Sequence, residues 1–105
     1  MVIKETSGFT RQLQKLLTDQ EYRNLQTLLL NRPDAGPVIV GSGGLRKVRW
    51  GLRGKGRRGG LRVIYYYAEV EEQLLMLFVY PKSEKDDLTP RQLEILRNIV
   101  EEEYP

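Results

Sequence analysis

The segment LRVIYYYAEVEEQLLMLFVY, Leu61 to Tyr80, decides the fold. Its first part alternates, with Leu61, Val63, Tyr65 and Tyr67 on one face, as in a strand packed on a core. The part from Gln73 to Tyr80 is almost continuously apolar, which predicts a central strand covered on both faces. Only Glu69 to Glu72 separate the strand Leu61 to Ala68 from the strand Gln73 to Tyr80. A connection that short makes the pair antiparallel.

Upstream, Leu45 to Trp50 alternates as another strand. Before it come turn residues at Asp34 to Pro37, a short strand at Val38 to Val40 and a Gly-rich turn at Gly41 to Gly44. Val2 to Glu5 reads as a short first strand. Gly8 to Leu17 reads as a helix with Phe9, Leu13, Leu16 and Leu17 on one side. Thr18 opens a second helix through a capping box with Glu21, and Tyr22, Leu25, Leu28 and Leu29 form its apolar stripe. That helix ends near Asn31, because Pro33 restricts the residue before it. At the other end Thr89 is an N-cap, Pro90 sits at N1 and Gln92 completes a second capping box. Leu93, Leu96, Ile99 and Val100 are the buried stripe of this last helix. The order predicts one α+β domain over residues 1–105: a small antiparallel sheet of about four strands, two N-terminal helices and one C-terminal helix, with the helices segregated on one side.

The chain contains no cysteine and no histidine. Disulfides, thiolate chemistry, Cys/His zinc sites, a Ser-His-Asp triad and a histidine-based nuclease are therefore excluded. No run approaches the ~20 apolar residues of a membrane span, and the N-terminus lacks the apolar core of a secretory signal. The expectation is a cytoplasmic protein with no membrane partner.

Charge is unevenly spread. Residues 46 to 62 carry Arg46, Lys47, Arg49, Arg53, Lys55, Arg57, Arg58 and Arg62, while the rest of the chain holds nine basic and fourteen acidic side chains. A net charge of +3 thus conceals a concentrated basic patch, the footprint of a polyanion-binding surface. A run of Lys and Arg is most often a solvated face, but three details point further. Five glycines lie from Gly51 to Gly60, so backbone amides can approach a ligand. Lys47 and Arg49 are two apart in a strand and share a face. Arg62 sits inside an apolar strand, where an arginine needs a partner: a phosphate, or a carboxylate such as Glu69 or Glu5. Of the consecutive Tyr65, Tyr66 and Tyr67, at least one faces away from the core side. An exposed ring such as Tyr66 beside arginines suits base stacking, although tyrosine also favours strands for packing alone. Lys82 and Lys85 follow the central strand directly, whereas Asp86 and Asp87 read as favouring the N-terminus of the last helix.

Together GGLRKVRW (residues 43–50), GKGRRGG (54–60), GGLRVIYYY (59–67) and LFVYPKSEKDDLTPRQ (77–92) resemble the RelE/ParE superfamily of bacterial toxins, nearest its HigB-like branch. The resemblance implies a ribosome-dependent endoribonuclease that cuts messenger RNA without metal or other cofactor. It also implies a cognate antitoxin with a helix-turn-helix region, and the ribosome and mRNA as partners. By position it implies Lys47, Arg49, Arg62, Lys82 and Lys85 as catalytic residues. Arg62, assisted by Arg49, holds the phosphate; Lys47 is a candidate base, and Lys82 or Lys85 a candidate acid. Arg46, Arg53, Lys55, Arg57, Arg58 and Tyr66 are the candidate RNA- or ribosome-binding residues. The family's C-terminal tyrosine has no counterpart here: Thr89 lies near its position and Tyr104 too late. The other readings are a ParE-like toxin that inhibits gyrase and a non-catalytic RNA-binding module.

Overall fold

The computed structural model describes residues 1–51 and 60–105. Its elements are β1 (Val2–Glu5), α1 (Ser7–Leu16), α2 (Asp19–Asn31), β2 (Leu45–Trp50), β3 (Leu61–Ala68), β4 (Gln73–Pro81) and α3 (Pro90–Glu103). The helices start where local chemistry directs. Thr6 caps α1 by accepting from the Phe9 N–H, and both expected capping boxes form, Thr18 with Glu21 and Thr89 with Gln92.

The four strands lie in the order β1-β4-β3-β2. β3 pairs antiparallel with both β2 and β4, but β1 runs parallel to β4. The sheet is thus mixed, not wholly antiparallel as the sequence suggested. The crossover that parallel pairing requires is present, since α1 and α2 leave from β1 before the other strands form. Val38 to Val40 does not form the expected strand. Only Val38 makes a bridge, to Arg46, while Ile39 N–H donates to Leu45 O at 2.7 Å and Lys47 N–H donates to Pro37 O at 3.1 Å. Those bonds cover the outer edge of β2.

The helices do not share one side of the sheet. One core joins Phe9, Leu13, Leu25 and Leu29 of α1 and α2 to Val48, Val63, Tyr65, Leu74, Met76 and Val79. A second joins Leu96 and Val100 of α3 to Leu45, Ile64, Leu75, Leu77 and Tyr80. The reason is in β3 and β4: both carry apolar side chains on both faces, and each face must be removed from water. Tyr65 anchors the segment leading into β2. Fully buried, its hydroxyl donates to Pro33 O at 2.6 Å and accepts from Gly36 N–H at 2.9 Å. Gly36 needs its missing side chain, because a Cβ there would stand 2.9 Å from the Lys47 carbonyl.

Pairing of β3 with β4 contains a bulge. Ile64 faces Phe78 and Tyr65 faces Met76, so Leu77 is an extra residue. Before the bulge, Leu74 and Met76 point to the α1–α2 core; after it, Val79 does. The inserted residue shifts the alternation by one and turns Tyr80 to the α3 face, opposite Arg62.

Candidate active site

The α3 face of the sheet is apolar where α3 covers it and charged beyond. In register, Lys47 stands beside Ile64, and Arg49, Arg62 and Tyr80 form a row across β2, β3 and β4. Directly paired residues share a face, so the sheet gathers Lys47, Arg49 and Arg62 on one surface with the Tyr80 ring. Beside them is a hollow of about 100 Å³ lined by Ile39, Lys47, Ile64, Tyr80, Asp87, Leu88 and Leu93.

Arg62 is the buried charge of the site, with its side chain only 5% exposed. Its Nε donates to Asp86 Oδ1 at 3.1 Å and its Nη1 to Leu61 O at 3.3 Å. The acid partner that its burial demanded therefore comes from the β4–α3 loop, not from Glu69 or Glu5. Glu5 instead accepts from the Tyr22 and Thr10 hydroxyls. Two bonds hold the guanidinium plane, which leaves its remaining N–H groups fixed in direction.

The β4–α3 loop returns over the charged surface, and its acids do more than face a helix end. Lys47 Nζ donates to Asp87 Oδ1 at 2.6 Å and reaches Asp86 O at 3.4 Å. Tyr80 OH also donates to Asp86 O, at 2.9 Å. The Arg62 hydrogen bond, helped by the charges of Arg62, Lys47 and Arg49, holds the Asp86 carboxyl below the usual aspartate range. Burial, followed by the charge of Asp87, pushes the Tyr80 phenol up, so Tyr80 is a neutral donor at physiological pH. Sequence reasoning missed Tyr80, Asp86 and Asp87 as members of this surface. The only signal was their closeness to Lys82 and Lys85.

Other sequence candidates lie elsewhere or stand apart. Arg46 points to the opposite side of the sheet from Lys47 and Arg49, where its Nη1 donates to Gly36 O at 2.9 Å. Tyr66 is half-buried against the α3 layer, its ring centroid 5.7 Å from that of Tyr104. Trp50 packs on the α1–α2 core. Lys82 continues the β4 line one step past Pro81, with its N–H donating to Gly60 O at 3.0 Å; its side chain is exposed. Lys85 is half-buried in the same loop. Neither lysine side chain makes an ion pair among the described residues. Arg53, Lys55, Arg57 and Arg58 lie outside the described residues.

The fold has a counterpart among solved structures. A mutant of the E. coli toxin RelE in its free state superimposes with a TM-score of 0.58 at 16% sequence identity, over 81% of this chain and 86% of that one. That likeness shows the fold. The model of the RelE toxin of the RelE/RelB toxin–antitoxin system matches residues 34–103, which include β2, β3, β4 and α3 and hence every charged group of the site. By that match, spanning most of its length, the chain belongs to the RelE toxin family.

Proposed function

We propose that this protein is a ribosome-dependent endoribonuclease that cleaves messenger RNA by attack of a ribose 2′ oxygen on the adjacent phosphorus. The products are a 2′,3′-cyclic phosphate (or its opened form) and a 5′ hydroxyl. One observation carries the reading: Lys47, Arg49 and Arg62 stand on one face beside a hollow, on a chain of the RelE toxin family. In the transition state the two non-bridging phosphate oxygens gain negative charge. Fixed guanidinium donors stabilise that charge without reorganising. Arg62, held in plane by Asp86 and Leu61 O, suits this role, and Arg49 opposite it supplies a second cation. Lys82, exposed at the end of β4, is the candidate donor to the departing 5′ oxygen, with Lys85 in the same loop as its alternate.

No imidazole is available in the chain, so positioning must supply much of the rate. Binding to the ribosome would hold the RNA with its 2′ oxygen in line, an effect that reaches ~7–11 kcal/mol in favourable cases. Arg53, Lys55, Arg57 and Arg58 are the proposed contacts to ribosomal RNA phosphates. A cognate antitoxin with a DNA-binding helix-turn-helix region is the proposed partner that restrains the activity, and the cytoplasm its proposed place.

Mapping cleavage in a translation extract with and without ribosomes tests the proposal. It expects cuts within translated mRNA that carry 5′-hydroxyl ends and appear only with ribosomes. Translation that continues uncut while gyrase is trapped on DNA would assign the chain to the gyrase-inhibiting branch instead. RNA binding without any cut would make it a binding module.

A further inference from the structure

The three sheet cations share a chemical property that bears on the reaction. An arginine guanidinium has five N–H donors and no acceptor, and a lysine ammonium has three and none. Lys47, the sequence-based candidate for the base, is engaged as a donor to Asp87 Oδ1 at 2.6 Å and to Asp86 O at 3.4 Å, so its Nζ is directed at the loop acids. Tyr80 OH is likewise engaged as a donor. Among the described residues, the anionic side-chain acceptors on this surface are the carboxylates of Asp86 and Asp87. They are not equivalent. Asp86 is bound by Arg62 and lies under the combined charge of Arg62, Lys47 and Arg49, which weakens it as a base. Among the described residues Asp87 binds only Lys47, through Oδ1, and its side chain is 81% exposed at the rim of the hollow. Its Oδ2 has no partner among the described residues.

On the basis of the proposed RNA cleavage, we infer that Asp87 is the general base of the reaction, and that Lys47 is a positioning residue that orients it. The 2′ hydroxyl gives its proton to the Asp87 carboxylate as the 2′ oxygen bonds to phosphorus. The bond from phosphorus to the 5′ oxygen breaks with its electron pair on that oxygen, which takes a proton from the Lys82 ammonium or from water. Phosphorus changes neither charge nor oxidation state. Both protein groups recover through solvent, to which Asp87 and Lys82 are open. Of the charged groups around it, Lys47 of β2 binds Asp87 directly; Arg49 of β2 and Arg62 of β3 lie on the same sheet face as Lys47, and Asp86, Lys82 and Lys85 belong to its own loop; Tyr80 of β4 is neutral.

Single-turnover cleavage of mRNA in purified ribosome complexes, followed from pH 6.5 to 8.5, tests the assignment. A carboxylate is ionised throughout that range, so the wild-type rate is expected to be flat. Asp87→Asn should cleave about 10²–10⁴-fold more slowly, the usual contribution of a general base. Its rate should rise about tenfold per pH unit as hydroxide takes over, with the half-saturating ribosome concentration within about twofold of wild type. Asp87→Glu should recover part of the rate and the flat profile. A purely structural role would lower the rate without changing its pH dependence, and would overturn the inference. So would an Asp87→Asn rate within about threefold of wild type, or a wild-type rate that itself climbs tenfold per unit, which would make the Lys47 amine the base. Absence of any 5′-hydroxyl cut by the wild-type chain would remove the RNA-cleavage reading and this assignment with it. A wild type that cuts, beside a variant that cuts equally well, would remove the assignment alone.

Discussion

Arg62 is the residue at which folding and the proposed catalysis are most entangled, and the structure allows the two to be separated. Arg62→Met keeps a long unbranched stem in the same space and removes the guanidinium. Folding then loses the hydrogen bond to Leu61 O, worth ~0.5–1.5 kcal/mol. It also loses an ion pair whose acid partner is 53% exposed, which places the pair among those worth ~0–1 kcal/mol. Asp86 is open enough to be rehydrated, so no bare charge is left buried. The expected total is about 1–2 kcal/mol, a fall of roughly 4–16 °C in Tm for a domain of this size. The effect on cleavage should be larger. Loss of one preorganised donor to a developing oxyanion costs ~10²–10³ in rate, and Arg62→Met removes the whole fork and its charge. Arg62→Lys keeps the charge but not the two-point geometry and should fall between wild type and Arg62→Met. The assay is thermal denaturation by circular dichroism beside single-turnover cleavage on ribosome complexes held well below the melting temperature. A folded Arg62→Met protein that cuts within tenfold of wild type would refute the placement of Arg62 at the phosphate. A Tm loss far beyond this range would refute the folding arithmetic, and would show that the Arg62–Asp86 pair is a keystone of the core.

Three further outcomes follow from the surroundings of the site. Tyr65→Phe strands the Gly36 N–H and Pro33 O and should cost ~1–3 kcal/mol in urea unfolding, whereas Tyr66→Phe, whose hydroxyl has no partner among the described residues, should stay within ~0.5 kcal/mol. Equal effects would show that the hydroxyl bonds are not what distinguishes the two rings. Gly36→Ala sets a methyl 2.9 Å from the Lys47 carbonyl and 3.0 Å from the Tyr65 ring; both Tm and cleavage should fall, and an unchanged Tm would mean the turn moves away freely. Asp86 has a carboxyl held below its ordinary 3.8, so its contribution to stability is present above that value and lost as pH falls through the lower folded-state value. The difference in urea midpoint between wild type and Asp86→Asn should therefore stay constant from pH 7 to about pH 5 and shrink only in stronger acid; a difference gone by pH 5 would contradict the pairing with Arg62.

What the sequence disclosed was local. Capping boxes at Thr18 and Thr89 are complete within four residues, and so were readable. Period-two alternation put Lys47 and Arg49 on one face, and the same rule places Arg46 on the other; it was grouped with them only because it shares their charge. The continuous apolar run of β4 correctly announced two covered faces, but it did not say that α3 would cover the second. Nor did it reveal the bulge, because in a run where every residue is apolar an inserted Leu77 leaves no mark in the pattern. Yet that insertion decides the site. Without it Tyr80 would point into the α1–α2 core, and Asp86 O would lose its phenol donor. A slip of one residue between β2 and β3 would be equally consequential, since it would exchange every side chain on β2 between the faces and turn Lys47 and Arg49 towards the α1–α2 core. Contacts distant in sequence exclude such a slip: Tyr65 OH fixes the Pro33–Gly36 turn, and Pro37 and Ile39 fix β2 by its outer edge. The cations are thus gathered by register and not by the charge run itself. Eight basic residues within seventeen positions make a polyanion surface in any pairing, but the pairing observed selects three of them, brings the β4–α3 loop acids to Lys47 and Arg62, and sets an acceptor among donors.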